Sequence, residues 1–120
     1  MKILIVDDSS VMRKIVQRTL RQAGYSGHDI DEAEDGEDAL AKIAARPPDL
    51  VLCDWNMPRM TGIELLEALQ ELGTVPSFAF VTSQSTGEMR SRATEAGATA
   101  FVKKPFTADS FRDAIGHILG

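Results

Sequence analysis

Residues 50–62 read LVLCDWNMPRMTG. Leu50, Val51, Leu52 and Cys53 form an uninterrupted apolar run with no wet face, the pattern of a strand covered on both sides. Asp54 ends that run abruptly. Pro58 to Gly62 supplies a turn, after which Ile63, Leu65, Leu66, Leu69 and Leu72 recur at helical spacing.

The same alternation extends in both directions. Upstream, Ile3 to Val6 is a first apolar run, followed by a helix face of Val11, Ile15, Val16, Leu20 and Ala23. Ser9 or Ser10 can cap its start and Gly24 suits its end. A weak run from Ile30 to Ala33 precedes Gly36 and a helix carrying Ala39, Leu40, Ile43 and Ala44, which Pro47-Pro48 stops. Downstream, Gly73 and Pro76 break the chain before Phe78 to Val81. Thr86 to Ala96 is the poorest helix candidate, with only Met89, Ala93 and Ala96 on its apolar stripe, and is expected to be the most mobile. Ala100 to Val102 is the fifth run, and Phe111, Ala114, Ile115, Ile118 and Leu119 mark a last helix. Five strands alternating with five helices predict an α/β fold with a doubly wound parallel sheet.

The 120 residues suit a single domain, residues 1–120, and leave no room for an output domain. Hydrophobic residues at 43% and charged residues at 26% exclude a disordered chain. The net charge of −5 argues against nucleic acid and anionic membranes as partners, since both select for excess Lys and Arg. Cys53 is the sole cysteine, so no internal disulfide forms. No apolar run approaches the ~20 residues that span a bilayer, and the N-terminus has no signal-peptide pattern. A cytoplasmic location is expected.

Ligands of such sheets bind beyond the carboxyl ends of the strands, and polar residues stand there with regularity. Asp7 and Asp8 follow the first run, Asp54 the third and Thr82 the fourth. Lys104 lies just past the fifth, with Lys103 before it. On a parallel sheet these converge on one crevice. Three carboxylates together repel one another, so a bound cation or a held proton is required. Cys53 precedes Asp54 on a strand and points the other way. The remaining all-oxygen set favours Mg²⁺ over zinc or copper. Lys104 and Thr82 suit a phosphoryl group, as a cation and a hydroxyl donor, and Asp54 is the best candidate for a carboxylate that accepts it.

Each residue has a plainer reading. Asp7-Asp8 is a favourable charge pair at a helix N-terminus, Thr82-Ser83 a capping stretch and Lys103-Lys104 a solvated loop. Phe101 alone reads as core, Cys53 as a small buried hydrophobe, and His28 and His117 as surface residues. Trp55 is read as partly exposed and a convenient reporter. Two rival functions stand against phosphoryl acceptance as a signal. A Mg²⁺-dependent phosphatase with an aspartyl-phosphate needs a second acid two residues after the nucleophile, where this chain has Asn56. A flavodoxin-like cofactor carrier wants a Ser/Thr/Gly-rich phosphate loop where this chain has Asp7-Asp8.

Over its whole length, from VDDSSVMR (residues 6–13) to KPF (residues 104–106), the sequence resembles the receiver domains of two-component signalling. AEDGEDAL (33–40), DWNMPRMTG (54–62) and VKKPFTA (102–108) carry a closer likeness to the single-domain chemotaxis regulators of the flagellar motor. The resemblance implies a flavodoxin-like strand order 2-1-3-4-5, which is the family's order. It implies Asp54 as phospho-acceptor and Mg²⁺ bound by Asp8, by Asp7 acting mainly through water, by Asp54 and by the backbone carbonyl of Asn56. Lys104 would pair with the phosphate, across a cis bond to Pro105, and Thr82 and Phe101 would form the switch. Phe101 stands where the chemotaxis regulators have tyrosine, and Gln84 stands at a position that is acidic there. The implied partners are a sensor histidine kinase, an output protein on the face of the fourth helix, fifth strand and fifth helix (the flagellar motor switch among the options) and a phosphatase. A phosphorelay intermediate or phosphate sink outside chemotaxis is the alternative role. The implied protein is a signalling switch that phosphorylates and dephosphorylates itself, not an enzyme acting on other substrates.

Overall fold

A computed structural model describes every residue except Ser85 and Gly120. In chain order it contains β1 (Lys2–Val6), α1 (Ser10–Gln22), β2 (Asp29–Ala33), α2 (Gly36–Ala45), β3 (Leu50–Cys53), α3 (Gly62–Leu72), β4 (Ser77–Thr82), α4 (Gly87–Glu95), β5 (Ala100–Lys103) and α5 (Ala108–Leu119). The strands form one sheet in the order β2-β1-β3-β4-β5, and every pairing is parallel. This is the expected five-stranded doubly wound fold.

Strand alternation divides the core. Leu4, Val6, Val51, Cys53, Phe78 and Phe80 point to one side and pack with residues of α2, α3 and α4, including Ala39, Ile43, Ile63, Leu66 and Ala93. Ile3, Ile5, Leu50, Leu52, Ala79 and Val81 point to the other, where α1 and α5 supply Val16, Leu20, Phe111 and Ile115. Both faces are covered, which is why β3 is uniformly apolar. Edge strand β2 has only its last residue, Ala33, fully buried, and its charged sequence follows from that position.

Local signals set the helix ends. The Ser9 side chain accepts the Met12 N–H at the start of α1, and Thr61 and Glu64 form a capping box at α3. Gly24 and Gly73 follow α1 and α3 with positive φ. Helix α4 makes weak apolar contact: Ala93 is its only fully buried residue. Its placement leans on polar links, Arg92 to Glu67 at 3.3 Å and the Gln70 side-chain amide to the Ala96 carbonyl at 2.7 Å. No helix among the described residues is long and apolar enough to cross a membrane.

Strand order reverses between β1, which leads outward to β2, and β3, which begins the progression to β4 and β5. The ends of β1 and β3 therefore flank the crevice where such sheets hold ligands. Since Phe111 is wholly buried and Val11 is 66% exposed, Phe111→Ala is expected to lower the unfolding free energy by about 3–5 kcal/mol. Val11→Ala is expected to change it by roughly 0.5 kcal/mol or less. Urea titration of the two variants measures both.

Candidate functional site

Parallel pairing delivers the chain from β1, β3, β4 and β5 to one edge. The Asp54 N–H donates to the Val6 carbonyl at 2.9 Å and the Lys104 N–H to the Thr82 carbonyl at 2.9 Å, so the ladder continues one residue past the strands and aligns their polar ends. Asp7, Asp8 and Asp54 each place a carboxylate oxygen within 4.8 Å of the other two. Lys104 Nζ lies 3.2 Å from Asp7 Oδ2 and 3.6 Å from Asp54 Oδ2. Asp7, Asp8, Asp54 and Lys104, four of the residues read at the strand ends, thus form one cluster.

The members are held differently. Asp7 is buried: its Oδ1 accepts the Ser9 N–H at 2.9 Å, its Oδ2 accepts from Lys104, and its backbone carbonyl accepts from Arg13 at 2.6 Å. Asp8 is exposed. Asp54 is partly buried, and desolvation raises its carboxyl pKa. The Lys104 ammonium lowers it, the Asp7 charge raises it, and the backbone N–H groups of Trp55 and Asn56 lower it again. Cys53 faces the core, its thiol donating to the Asp54 carbonyl at 3.1 Å, and burial followed by the Asp54 and Asp7 charges pushes its pKa up. The donors at the crevice are therefore all oxygens. One ammonium against three carboxylates leaves the cluster short of positive charge, and the donor set suits a hard divalent cation such as Mg²⁺.

Thr82 lies at the end of β4, fully buried, and its hydroxyl accepts the Gln84 N–H at 3.4 Å. Lys103, paired with it in register, is exposed, leaving Lys104 as the lysine of the crevice. The Asn56 side-chain amide donates to the Gln84 side chain at 3.2 Å, joining the β3–α3 and β4–α4 loops. Lys104–Pro105 is cis. Phe101 is half-buried, its ring 6.0 Å from that of Phe80, with the Arg90 guanidinium 4.7 Å above it.

Two surface readings are corrected. Trp55 is only 8% exposed, its ring packed against that of Phe80 at 4.8 Å between centres with the planes tilted by 40°. His28 is half-buried beside Tyr25, 6.1 Å between ring centres. Cys53 is the buried hydrophobe expected. Sequence reasoning missed the ion pair of buried Asp35 with Arg59, at 3.1 Å. No spacing signals it, because Arg59 adopts a left-handed conformation, φ 67°.

Two glycines let the β3–α3 loop close over the site. A Cβ on Gly62 would run into the Asp54 carbonyl oxygen and come within 2.9 Å of the Phe80 ring. A Cβ on Gly36 would meet the Met60 side chain at 2.7 Å.

A 2-1-3-4-5 parallel sheet with an acidic crevice and a lysine at the switch point is the architecture of a receiver module. The chain belongs to the response regulator receiver domain family, whose pattern matches residues 3–116. It is 40% identical over 121 residues to the chemotaxis protein CheY of Pseudomonas aeruginosa, covering 98% of this chain and 95% of that one. The likeness to CheY-3 of Vibrio cholerae is also 40%, covering 98% and 91%. Among solved structures, the chemotaxis protein CheY4 of Vibrio cholerae superposes with a TM-score of 0.85 at 32% identity, covering 98% of this chain and 97% of that one. The receiver domain of a LuxO repressor protein from Vibrio parahaemolyticus shares the fold, with a TM-score of 0.88 at 24% identity, covering 98% and 88%. The family is one of signalling proteins.

The raised pKa of Asp54 has a consequence for stability. A carboxyl with a higher pKa in the folded than in the unfolded chain contributes most below its unfolded pKa, and that contribution is lost as pH rises through the folded value. In chelator-treated buffer, Asp54→Asn is therefore expected to melt above the parent at about pH 7, with the gap closing toward about pH 3. Thermal scans across that range measure it.

Proposed function

We propose that this chain is a phosphorylation-activated switch that accepts a phosphoryl group on Asp54 from the phosphohistidine of a sensor kinase. The observation that carries the reading is Lys104 Nζ set between Asp7 and Asp54 beside a third carboxylate, Asp8. A carboxylate oxygen of Asp54 attacks phosphorus and forms the new P–O bond. The P–N bond to the kinase imidazole breaks, and its electron pair stays on the ring nitrogen.

Asp8, Asp54 and the Asn56 backbone carbonyl would hold Mg²⁺, with Asp7 acting through water; its two oxygens are already engaged by Ser9 and Lys104. When bound, the ion supplies charge neutralisation for the carboxylates and the phosphoryl oxygens. Lys104 pairs with a phosphoryl oxygen, stepping from Asp7 and Asp54 to the added charge. Thr82 exchanges the Gln84 N–H for the phosphoryl group, and its movement opens space that the Phe101 ring can occupy. These shifts alter the surface of α4, β5 and α5, where a protein partner binds by population shift.

The names of the 40%-identical relatives favour chemotaxis; the flagellar motor switch as output partner and a phosphatase that resets the signal are what the sequence resemblance implies. A stand-alone phosphorelay intermediate or phosphate sink is the second reading. It is favoured by Phe101, which offers a partner no hydroxyl, and by Gln84, which is neutral where the chemotaxis regulators are acidic. The net charge of −5 favours protein partners over nucleic acid or an anionic membrane.

Mass spectrometry of the chain treated with Mg²⁺ and a small acyl-phosphate donor is expected to find one phosphoryl group, on Asp54, and none on Asp54→Asn. Stable labelling of that variant would refute the assignment. Lys104→Ala is expected to take up phosphate yet to lose the phosphorylation-dependent change in Trp55 fluorescence. A full response from Lys104→Ala would remove Lys104 from the switch.

A further inference from the structure

The β3–α3 loop leaves the sheet at Asp54 and returns at Gly62. Its neck is closed by the Gly62 N–H donating to the Trp55 carbonyl at 2.9 Å. Between these points Asn56 is exposed and Met57 buried, and the Met60 N–H donates to the Pro58 carbonyl at 2.7 Å in a tight turn. A loop closed at its neck still has a direction to be set. On one side the Asn56 amide is tied to Gln84; on the other, two contacts with the N-terminus of α2 hold the loop: Met60 rests on Gly36, and Arg59 pairs with Asp35.

Asp35 is suited to this task. One of its carboxylate oxygens accepts the Asp38 N–H at 2.8 Å and caps α2, which fixes the side chain. The other receives Arg59 Nη1 at 3.1 Å. Asp35 is buried while Arg59 is largely exposed, so the acid is the fixed anchor and the arginine the arm that reaches it. Arg59 reaches it from a left-handed backbone, a conformation that an L-residue with a Cβ adopts against its preference. A loop that needed only to turn here would be better served by glycine.

We propose that Asp35 and Arg59 are positioning residues for the metal site: their ion pair ties the β3–α3 loop to α2 and so aims the Asn56 carbonyl at the carboxylate cluster. The inference rests on the Mg²⁺ reading above. Groups that orient a ligand from behind commonly change metal affinity roughly 10–100-fold when removed.

Glycine at Arg59 separates positioning from stability, because it removes the arm and relieves the left-handed backbone together. Mg²⁺ is titrated into the full chain and followed by amide NMR shifts of Asp8, Asp54 and Asn56, with the melting temperature of the metal-free chain read alongside. Arg59→Gly is expected to melt near the parent, relief of the left-handed backbone offsetting the lost partner of Asp35, while binding Mg²⁺ roughly tenfold more weakly. Asp35→Asn, which keeps a capping oxygen, is expected to weaken Mg²⁺ to a similar degree. The double variant should be no weaker than either single one, because both remove the same link. Arg59→Lys, which keeps a cation on the arm, should recover most of the affinity. Affinities within about twofold of the parent in both single variants, additive losses in the double, or a loss matched by falling stability would each overturn the proposal. A parent chain whose amides do not respond to Mg²⁺ would instead overturn the metal reading, and this inference with it.

Discussion

The ammonium of Lys104 between Asp7 and Asp54 is the contact on which the site depends, and much of the fold serves to bring it there. The lysine and Asp7 are 97 residues apart. They meet only because every crossover returns the chain to the same end of a parallel sheet, so that β1, β3, β4 and β5 all finish at one edge. Burying a carboxylate without a partner is costly, and Asp7 is buried. The lysine offsets that cost for Asp7 and part of it for Asp54, whose remaining compensation comes from the Trp55 and Asn56 backbone N–H groups. Asp8, facing water, needs none. The cluster is tolerable as it stands, yet still two charges short of neutral, which is the balance expected of a site that receives a divalent ion.

Around this cluster the two banks of the crevice are built differently. On the α2–α3 side the packing is tight: Gly36 against Met60, Gly62 against Asp54 and Phe80, and a capping box at Thr61. On the α4 side the apolar anchor is Ala93 with half-buried Met89, and polar side chains do the rest. Structures yield first where few apolar contacts are buried. Asp54 therefore stands between a firm bank and a loosely held one.

The strands were legible in the sequence because both faces of β1, β3 and β4 are covered, which forces unbroken apolar runs. The site residues were legible for a related reason: on a parallel sheet, the first polar residue after each run arrives at the same edge. Edge strand β2 read weakly because half of it faces water. What stayed hidden was set by three-dimensional neighbours with no periodic trace. Trp55 follows Asp54 out of the strand and looks like a loop residue, but Phe80 on the adjacent strand gives its ring a packing surface. Arg59 looks like a solvated loop charge, and only its left-handed backbone turns it toward Asp35. The Asn56–Gln84 hydrogen bond joins two loops 28 residues apart, and nothing in either loop announces the other.

The aromatic residues connect these observations. Trp55, adjacent to Asp54, packs against Phe80 at 4.8 Å. Phe80 lies 6.0 Å from Phe101, and Phe101 carries the Arg90 guanidinium of α4 at 4.7 Å. A packed row thus runs from the residue beside Asp54 to the loosely held helix. Each link is apolar or cation–π. This also explains why phenylalanine suffices at position 101. A ring held by Phe80 on one side and an arginine on the other needs no hydroxyl to keep its place.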